Sequence, residues 1–150
     1  MIRKKSIKTK FGWVTAYENN SKIYKISFEK VKKQYDSKIL LNFRKNLQRF
    51  FKKNSPYIKG SFRVTGNKTQ LKVWKELKRI KPGSTKSYGE IAKKYNLSPR
   101  HVGKICSQNK LPLAIPCHRV IRTDGNLGGF SAPGGIKLKK KLLAFEEFWK

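Results

Sequence analysis

The sequence predicts an α+β fold, with a small α/β domain over residues 1–66 and a mostly helical domain over 67–150 that contains a helix-turn-helix. Three observations lead there. Strand-like runs occupy the first thirty residues, whereas apolar residues further on recur at spacings of three and four. A stretch at 54–68, with Pro56, Gly60 and Gly66, lacks any helical period and divides the chain. Beyond it, two serines suited to capping helices, Ser87 and Ser98, flank an Asn96-Leu97 turn.

Trp13–Tyr17 and Ile23–Phe28 read as two antiparallel strands joined through Glu18-Asn-Asn-Ser21, which has hairpin turn chemistry. Ile39, Leu40, Phe43, Leu47, Phe50 and Phe51 make residues 36–53 an amphipathic helix that should cover one sheet face. Residues 54–68 suit a strand and a linker, with the domain boundary near 66. Leu71, Val73, Trp74, Leu77 and Ile80 form a second helical stripe, closed by Lys81-Pro-Gly83. Ser87 should cap a helix running through Tyr95, and Ser98 a second helix with Pro99 at its first position. On that second helix Val102, Ile105 and Cys106 share the inward face. Arg100, His101, Lys104 and Ser107 point elsewhere and are free to meet DNA.

The charge names the class of partner. Against 37 Lys and Arg stand 8 Asp and Glu, a formal +29 that far exceeds what solubility needs and points to nucleic acid. The basic residues run through the whole chain instead of flanking an apolar or lipidation segment, which argues against a membrane-surface role. No run has signal-peptide or bilayer length, so a cytoplasmic location is expected. Cys106 and Cys117, with only His101 and His118 beside them, support neither a disulfide framework nor a four-ligand zinc site, so no metal is expected.

Residues 109–121 form an apolar stretch stiffened by Pro112 and Pro116 and ending in Cys117-His118-Arg119. A cysteine attacks as thiolate and needs a base or positive surroundings. His118 and Arg119 are adjacent, but neighbours in extended chain point to opposite faces, so His118 reaches the sulfur only through a turn or a bridging water. A buried structural cysteine beside a surface histidine is the alternative.

The hexapeptide Ile115-Pro-Cys-His-Arg-Val120 resembles the active-site signature of the O6-alkylguanine-DNA alkyltransferases. Pro82–Ala92, Ser98–Gly103, Asn109 and Gly128–Ser131 support it in family order, and together they cover residues 71–146. The first 66 residues match only in strand, strand and helix order, similar to the family's ribonuclease-H-like N-terminal domain; the C-terminal domain would be winged-helix-like. The resemblance implies in-line transfer of an alkyl group from guanine O6 in duplex DNA to Cys117, once per molecule. The proton of Cys117 would pass through a water to His118 and Glu146, and Asn109 would brace the loop. Tyr88 would bond the flipped base, the Ser131 backbone N–H would meet O6, and the carbonyls of Cys117 and Val120 would accept from the exocyclic amine. Val120, Phe130 and Ser131 would thus line the pocket with Tyr88. Arg100 would fill the vacated stack through the minor groove, with Ser98, His101, Lys104 and Arg119 among the DNA contacts. No metal or organic cofactor is implied, because the acceptor is the protein, and a monomer is expected.

The pattern departs in places. His101 and Lys104 stand where small residues are common, Phe130 and Thr69 replace usual aromatics, and Ala132-Pro133 looks inserted. Zinc-ligand cysteines of some relatives are absent. Three other readings compete: a non-catalytic sensor of alkylated bases, which would lack the cysteine; a helix-turn-helix DNA-binding protein, which leaves Pro-Cys-His-Arg unexplained; and a Cys-His hydrolase, which would turn over repeatedly.

Overall fold

The computed structural model describes residues 1–130 and 134–150. They form two compact units, Met1–Val64 and Thr65–Lys150. The expected Ser131 contact and the Ala132-Pro133 insertion lie outside the described residues.

The first unit is a three-stranded antiparallel sheet with a helix on one face. Its strands are β1 (Arg3–Thr9), β2 (Gly12–Asn19) and β3 (Lys22–Ser27), in that order across the sheet. Helix α1 (Lys38–Phe51) begins at Ser37, whose side chain accepts from the Leu40 N–H. Its apolar stripe of Leu40, Phe43, Leu47 and Phe50 is fully buried against Ile7, Val14, Ala16, Ile23 and Ile26. Burial of each large apolar side chain there stabilises by roughly 1.5–3 kcal/mol.

Two expectations change here. The sheet has three strands, not two, because Arg3–Thr9 pairs along its length with Gly12–Glu18. Four Lys and Arg among those seven residues hide a strand that buries only Ser6 and Ile7. The strand expected within 54–68 is a single parallel bridge, Phe62 to Ile23, with Ile23 N–H donating to Ser61 O at 2.7 Å and Arg63 N–H to Ile23 O at 2.8 Å.

The second unit holds α2 (Lys68–Leu77), β4 (Lys86–Ser87), α3 (Tyr88–Lys94), α4 (Pro99–Ser107), β5 (Val120–Ile121) and α5 (Gly135–Glu146). Short 3-10 turns occupy Cys117–Arg119 and Glu147–Trp149. Capping boxes open α2 (Asn67 with Gln70) and α3 (Ser87 with Glu90), satisfying amides that the helix leaves open. Along α2, Val73, Trp74 and Leu77 are buried, Leu71 is exposed, and Glu76 takes an inward place, accepting from Lys94 Nζ at 2.6 Å and Tyr95 Oη at 2.7 Å. The Lys94 bond, with the Tyr95 bond behind it, holds the Glu76 carboxyl below its ordinary range. Asn96, at φ 54°, turns the chain between α3 and α4, as the helix-turn-helix requires. β4 and β5 pair in parallel, Lys86 with Val120 and Ser87 with Ile121, and so bring the start of α3 beside the segment that follows Cys117.

Candidate active site

The loop between α4 and the Cys117 turn is tied by one side chain. Asn109 Nδ2 donates to Ile115 O at 2.9 Å, and its Oδ1 accepts from Leu111 N–H at 2.9 Å. With Ile115 N–H bonded to Leu111 O at 2.8 Å, the loop is fixed from both ends. Cys117 then enters a 3-10 turn, its N–H donating to Ile115 O at 2.8 Å and that of Arg119 to Pro116 O at 3.0 Å. This turn, instead of extended chain, decides where the neighbours of Cys117 point.

Both neighbours reach the same carboxylate. His118 Nε2 lies 2.7 Å from Glu146 Oε2, and both side chains are 1% exposed. Arg119 holds Glu146 bidentately, Nε to Oε1 at 2.8 Å and Nη2 to Oε2 at 2.9 Å, while Nη1 donates to Ile80 O at 2.7 Å. Arg119 is therefore not a DNA contact: it is buried, and each of its three nitrogens is bonded internally. Burial works against ionisation of Glu146, but the His118 bond and the Arg119 guanidinium overcome it and hold the carboxyl at about 2. Burial also lowers the pKa of His118, against the pull of Glu146, so the ring is neutral near pH 7. A carboxylate on Nε2 keeps the proton there and leaves Nδ1 as an acceptor. That Nδ1 is buried without a hydrogen-bond partner among the described residues.

Cys117 is a buried free thiol. Burial raises its pKa, opposed by the Asn109 side chain, the charge of Lys139 and the backbone amides of Cys117 and His118. The thiol opens on a cavity of about 330 Å³ lined by Tyr88, Gly103, Cys106, Ser107, Cys117, Gly129 and Phe130. Beside it runs a groove lined by Tyr88, Pro99, Arg100, Arg122, Thr123, Asp124, Gly128 and Gly129. Tyr88 borders both. Burial, with the two cysteines behind it, pushes its hydroxyl up to about 12, so it remains a donor. Gly128 is required where it stands: its φ is 73°, and a Cβ there would lie 3.1 Å from the Tyr88 ring.

On α4, Arg100, His101 and Lys104 are exposed on one side, while Val102, Ile105 and Cys106 are buried. Ser98 is exposed and caps the helix, accepting from His101 N–H at 3.0 Å. Val120 is buried, and its carbonyl accepts from Lys139 Nζ at 2.6 Å.

Sequence reasoning missed Lys139. It is fully buried on α5, and its ammonium also reaches Gly129 O at 3.3 Å and Tyr88 Oη at 3.4 Å. Burial lowers its pKa, while the two cysteines act the other way. A signal is present: Lys139 stands seven residues, two turns, before Glu146, on the face that buries Leu138, Leu142 and Phe145. Cys106, which the spacing assigns to the core, also forms a wall of the cavity; burial pushes its thiol up to about 12.

Comparison with known proteins places this geometry. Residues 68–148 match the sequence profile of the 6-O-methylguanine DNA methyltransferase DNA-binding domain. A methylated-DNA–protein-cysteine methyltransferase of Metallosphaera sedula is 34% identical over 149 residues, covering 97% of this chain and 94% of the relative. The chain belongs to this methyltransferase family. A second member, from Methanocaldococcus vulcanius, is 54% identical over 79 residues, covering 53% of this chain and 47% of that protein. Among solved family structures, the Mycobacterium tuberculosis O6-methylguanine methyltransferase superposes with a TM-score of 0.86 at 28% identity, over 99% of this chain and 94% of that one. The same mycobacterial protein in complex with DNA aligns equally well, TM-score 0.86 over 97% of this chain and 93% of that one. The α+β architecture described above is thus the architecture of the family.

Proposed function

We propose that this protein repairs alkylated duplex DNA directly, moving the alkyl group from O6 of guanine to Cys117 Sγ. The observation that carries the reading is the buried Cys117-His118-Arg119 segment and its carboxylate, in which Glu146 holds Nε2 of a neutral histidine and leaves Nδ1, which has no partner among the described residues, as the proton acceptor.

In this reading the Cys117 proton passes through a water to His118 Nδ1, and Glu146, ionised and clamped by Arg119, balances the imidazolium that results. The thiolate attacks the alkyl carbon in line, the C–O6 bond breaks as the S–C bond forms, and guanine leaves. Tyr88 donates to the departing base, and because its oxygen already faces the Lys139 ammonium, its proton is directed away from Lys139. Such donors spread the charge of the leaving group. The carbonyls of Cys117 and Val120 accept from the exocyclic amine, and the Ser131 amide meets O6. The base enters extrahelically, at a cost of a few kcal/mol that is smaller for a poorly paired lesion. Arg100, exposed near the start of α4 and bordering the groove beside the cavity, occupies the vacated stack from the minor groove, with Ser98, His101 and Lys104 at the backbone. The product is a thioether, a bond that water and thiols do not cleave at neutral pH, so one molecule repairs one base, as a monomer and without a cofactor. The domains are read as 1–66, ribonuclease-H-like, and 67–150, winged-helix-like, and the location as intracellular.

Intact-protein mass spectrometry after mixing with a duplex holding one O6-methylguanine tests this. One added methyl group, saturating at one per chain and absent from Cys117→Ala, is expected. Tight lesion-selective binding with no adduct would make the protein a sensor instead.

A further inference from the structure

The residues that line the cavity and the groove all belong to the second unit, yet the first carries 18 Lys and Arg against three Asp and Glu. Two of those acids are occupied: Glu18 is buried and accepts from the Ser37 hydroxyl, and Asp36 pairs with Lys5 at 2.5 Å. An excess of 15 like charges, 18 less three, on 64 residues opposes compaction. The fold alone gives no reason for it.

The strand register sorts the charges. Ile7, Val14, Ala16 and Ile26 fall on the face that α1 covers; Lys4, Lys8, Trp13, Tyr17 and Lys25 fall on the other. Across the middle of that second face runs the segment around Glu29–Val31, with Val31 N–H donating to Ser6 Oγ at 2.9 Å and the Thr15 hydroxyl donating to Glu29 O. It adds Lys30, and Glu29 is the one acid of the segment. Three of the four lysines stand over rings: Lys25 and Lys4 Nζ lie 4.9 and 5.5 Å from the centroid of Tyr17, and Lys30 Nζ lies 4.6 Å from that of Trp13. A lysine whose ammonium is already positioned over a ring has less freedom to lose when it meets a phosphate.

We propose that this sheet face is a second duplex-DNA contact, independent of the lesion, which grips backbone phosphates. The inference rests on the reading of the chain as a protein that acts on DNA. Lys4 and Lys8, four residues apart on one strand, span about 13 Å, and duplex DNA carries one charge per roughly 1.7 Å of its axis, so several phosphates face the patch together. The chemistry favours a duplex over a single strand: the rings that would stack on unpaired bases are already covered by ammonium groups. Lysines contacting phosphates carry no sequence information.

The test compares two full-length variants that each lose four charges from the same unit. One is Lys4→Gln, Lys8→Gln, Lys25→Gln and Lys30→Gln on the sheet face; the other is Lys38→Gln, Lys45→Gln, Arg49→Gln and Lys52→Gln on and just beyond α1. Affinity for undamaged duplex is measured across a salt series. The sheet-face variant is expected to lose about 2 to 4 units from the slope of log affinity against log salt, and roughly tenfold or more in affinity at moderate salt, while the α1 variant stays within about one unit of the parent slope. If the four-fold variant does not fold, Lys8→Gln with Lys25→Gln, both exposed, is expected to show about half the change in slope. Equal losses in the two variants, or none in the sheet-face variant, overturn the proposal. So does loss of binding to vesicles of anionic lipid with duplex affinity intact, which would assign the face to a membrane. The parent protein's methyl adduct is scored separately: its absence would overturn the alkyl-transfer reading and leave this comparison standing.

Discussion

Glu146 serves two partners at once, the neutral His118 ring and the Arg119 guanidinium, and its removal separates them. In Glu146→Gln the buried Arg119 keeps its charge and loses its counter-charge, so stability should fall by about 3–5 kcal/mol. Transfer to Cys117 should slow by about a hundredfold or more, because His118 loses the partner that fixes its tautomer. Glu146 also shapes the acid limb of stability. Its folded pKa of about 2 lies below the ordinary 4.5, so its contribution is complete above pH 4.5 and disappears as pH falls from 4.5 toward 2. His118, held below 6.5 by burial, adds a loss that begins as pH drops under 6.5. Denaturant unfolding across pH should show both in the parent chain, and only the histidine limb in Glu146→Gln. Lys139 is the other residue on which several groups depend. Lys139→Met keeps the stem and strands the carbonyls of Val120 and Gly129 and the Tyr88 oxygen. Removing a costly buried charge offsets part of that, so stability should move by no more than about 2 kcal/mol. The rate of adduct formation should fall by about tenfold or more as the donor direction of Tyr88 is lost; an unchanged rate would show that Tyr88 is oriented without it.

The elements of the second unit were legible because their signals are local. Ser87 and Ser98 cap α3 and α4 as the chain reads, and in the first unit α1 starts one residue after Ser37 because its stripe begins there. Ser87→Ala should remove the bond to the Glu90 N–H and cost about 1 kcal/mol in a urea melt, since it opens the helix at whose first residue Tyr88 stands. What the sequence concealed was decided at a distance. β1 looks like a solvated basic tail because its lysines are spread along it and its one buried aliphatic, Ile7, has no apolar neighbour in sequence. β4 and β5 are two residues each, too short for any periodicity, and form only when residues more than thirty positions apart meet. The direction of Arg119 depends on the 3-10 turn at Cys117, which two local hydrogen bonds create and no composition rule announces. Cysteine, histidine and the distant glutamate were nameable through the family pattern. Lys139 stands among Lys137, Lys140 and Lys141, and only its inward direction distinguishes it from them.

At the scale of the molecule, charge governs behaviour. A formal +29 on 150 residues means mutual repulsion in the folded state, which ions screen. Raising salt from roughly 0.05 to 0.5 M should therefore raise the thermal midpoint by several degrees, while the same change weakens duplex binding steeply. A midpoint indifferent to salt would show that the charges are already far enough apart. The two responses run in opposite directions, so stability and affinity measured in one buffer would mislead about the other. The Cys117 thiol, finally, rests protonated in a low-dielectric cavity, where burial makes it a poor nucleophile toward whatever diffuses past. If the proposed single-use transfer holds, this is a safety catch: the sulfur stays quiet in storage, and a chain waiting between encounters with DNA keeps its one reaction for the substrate that fills the cavity.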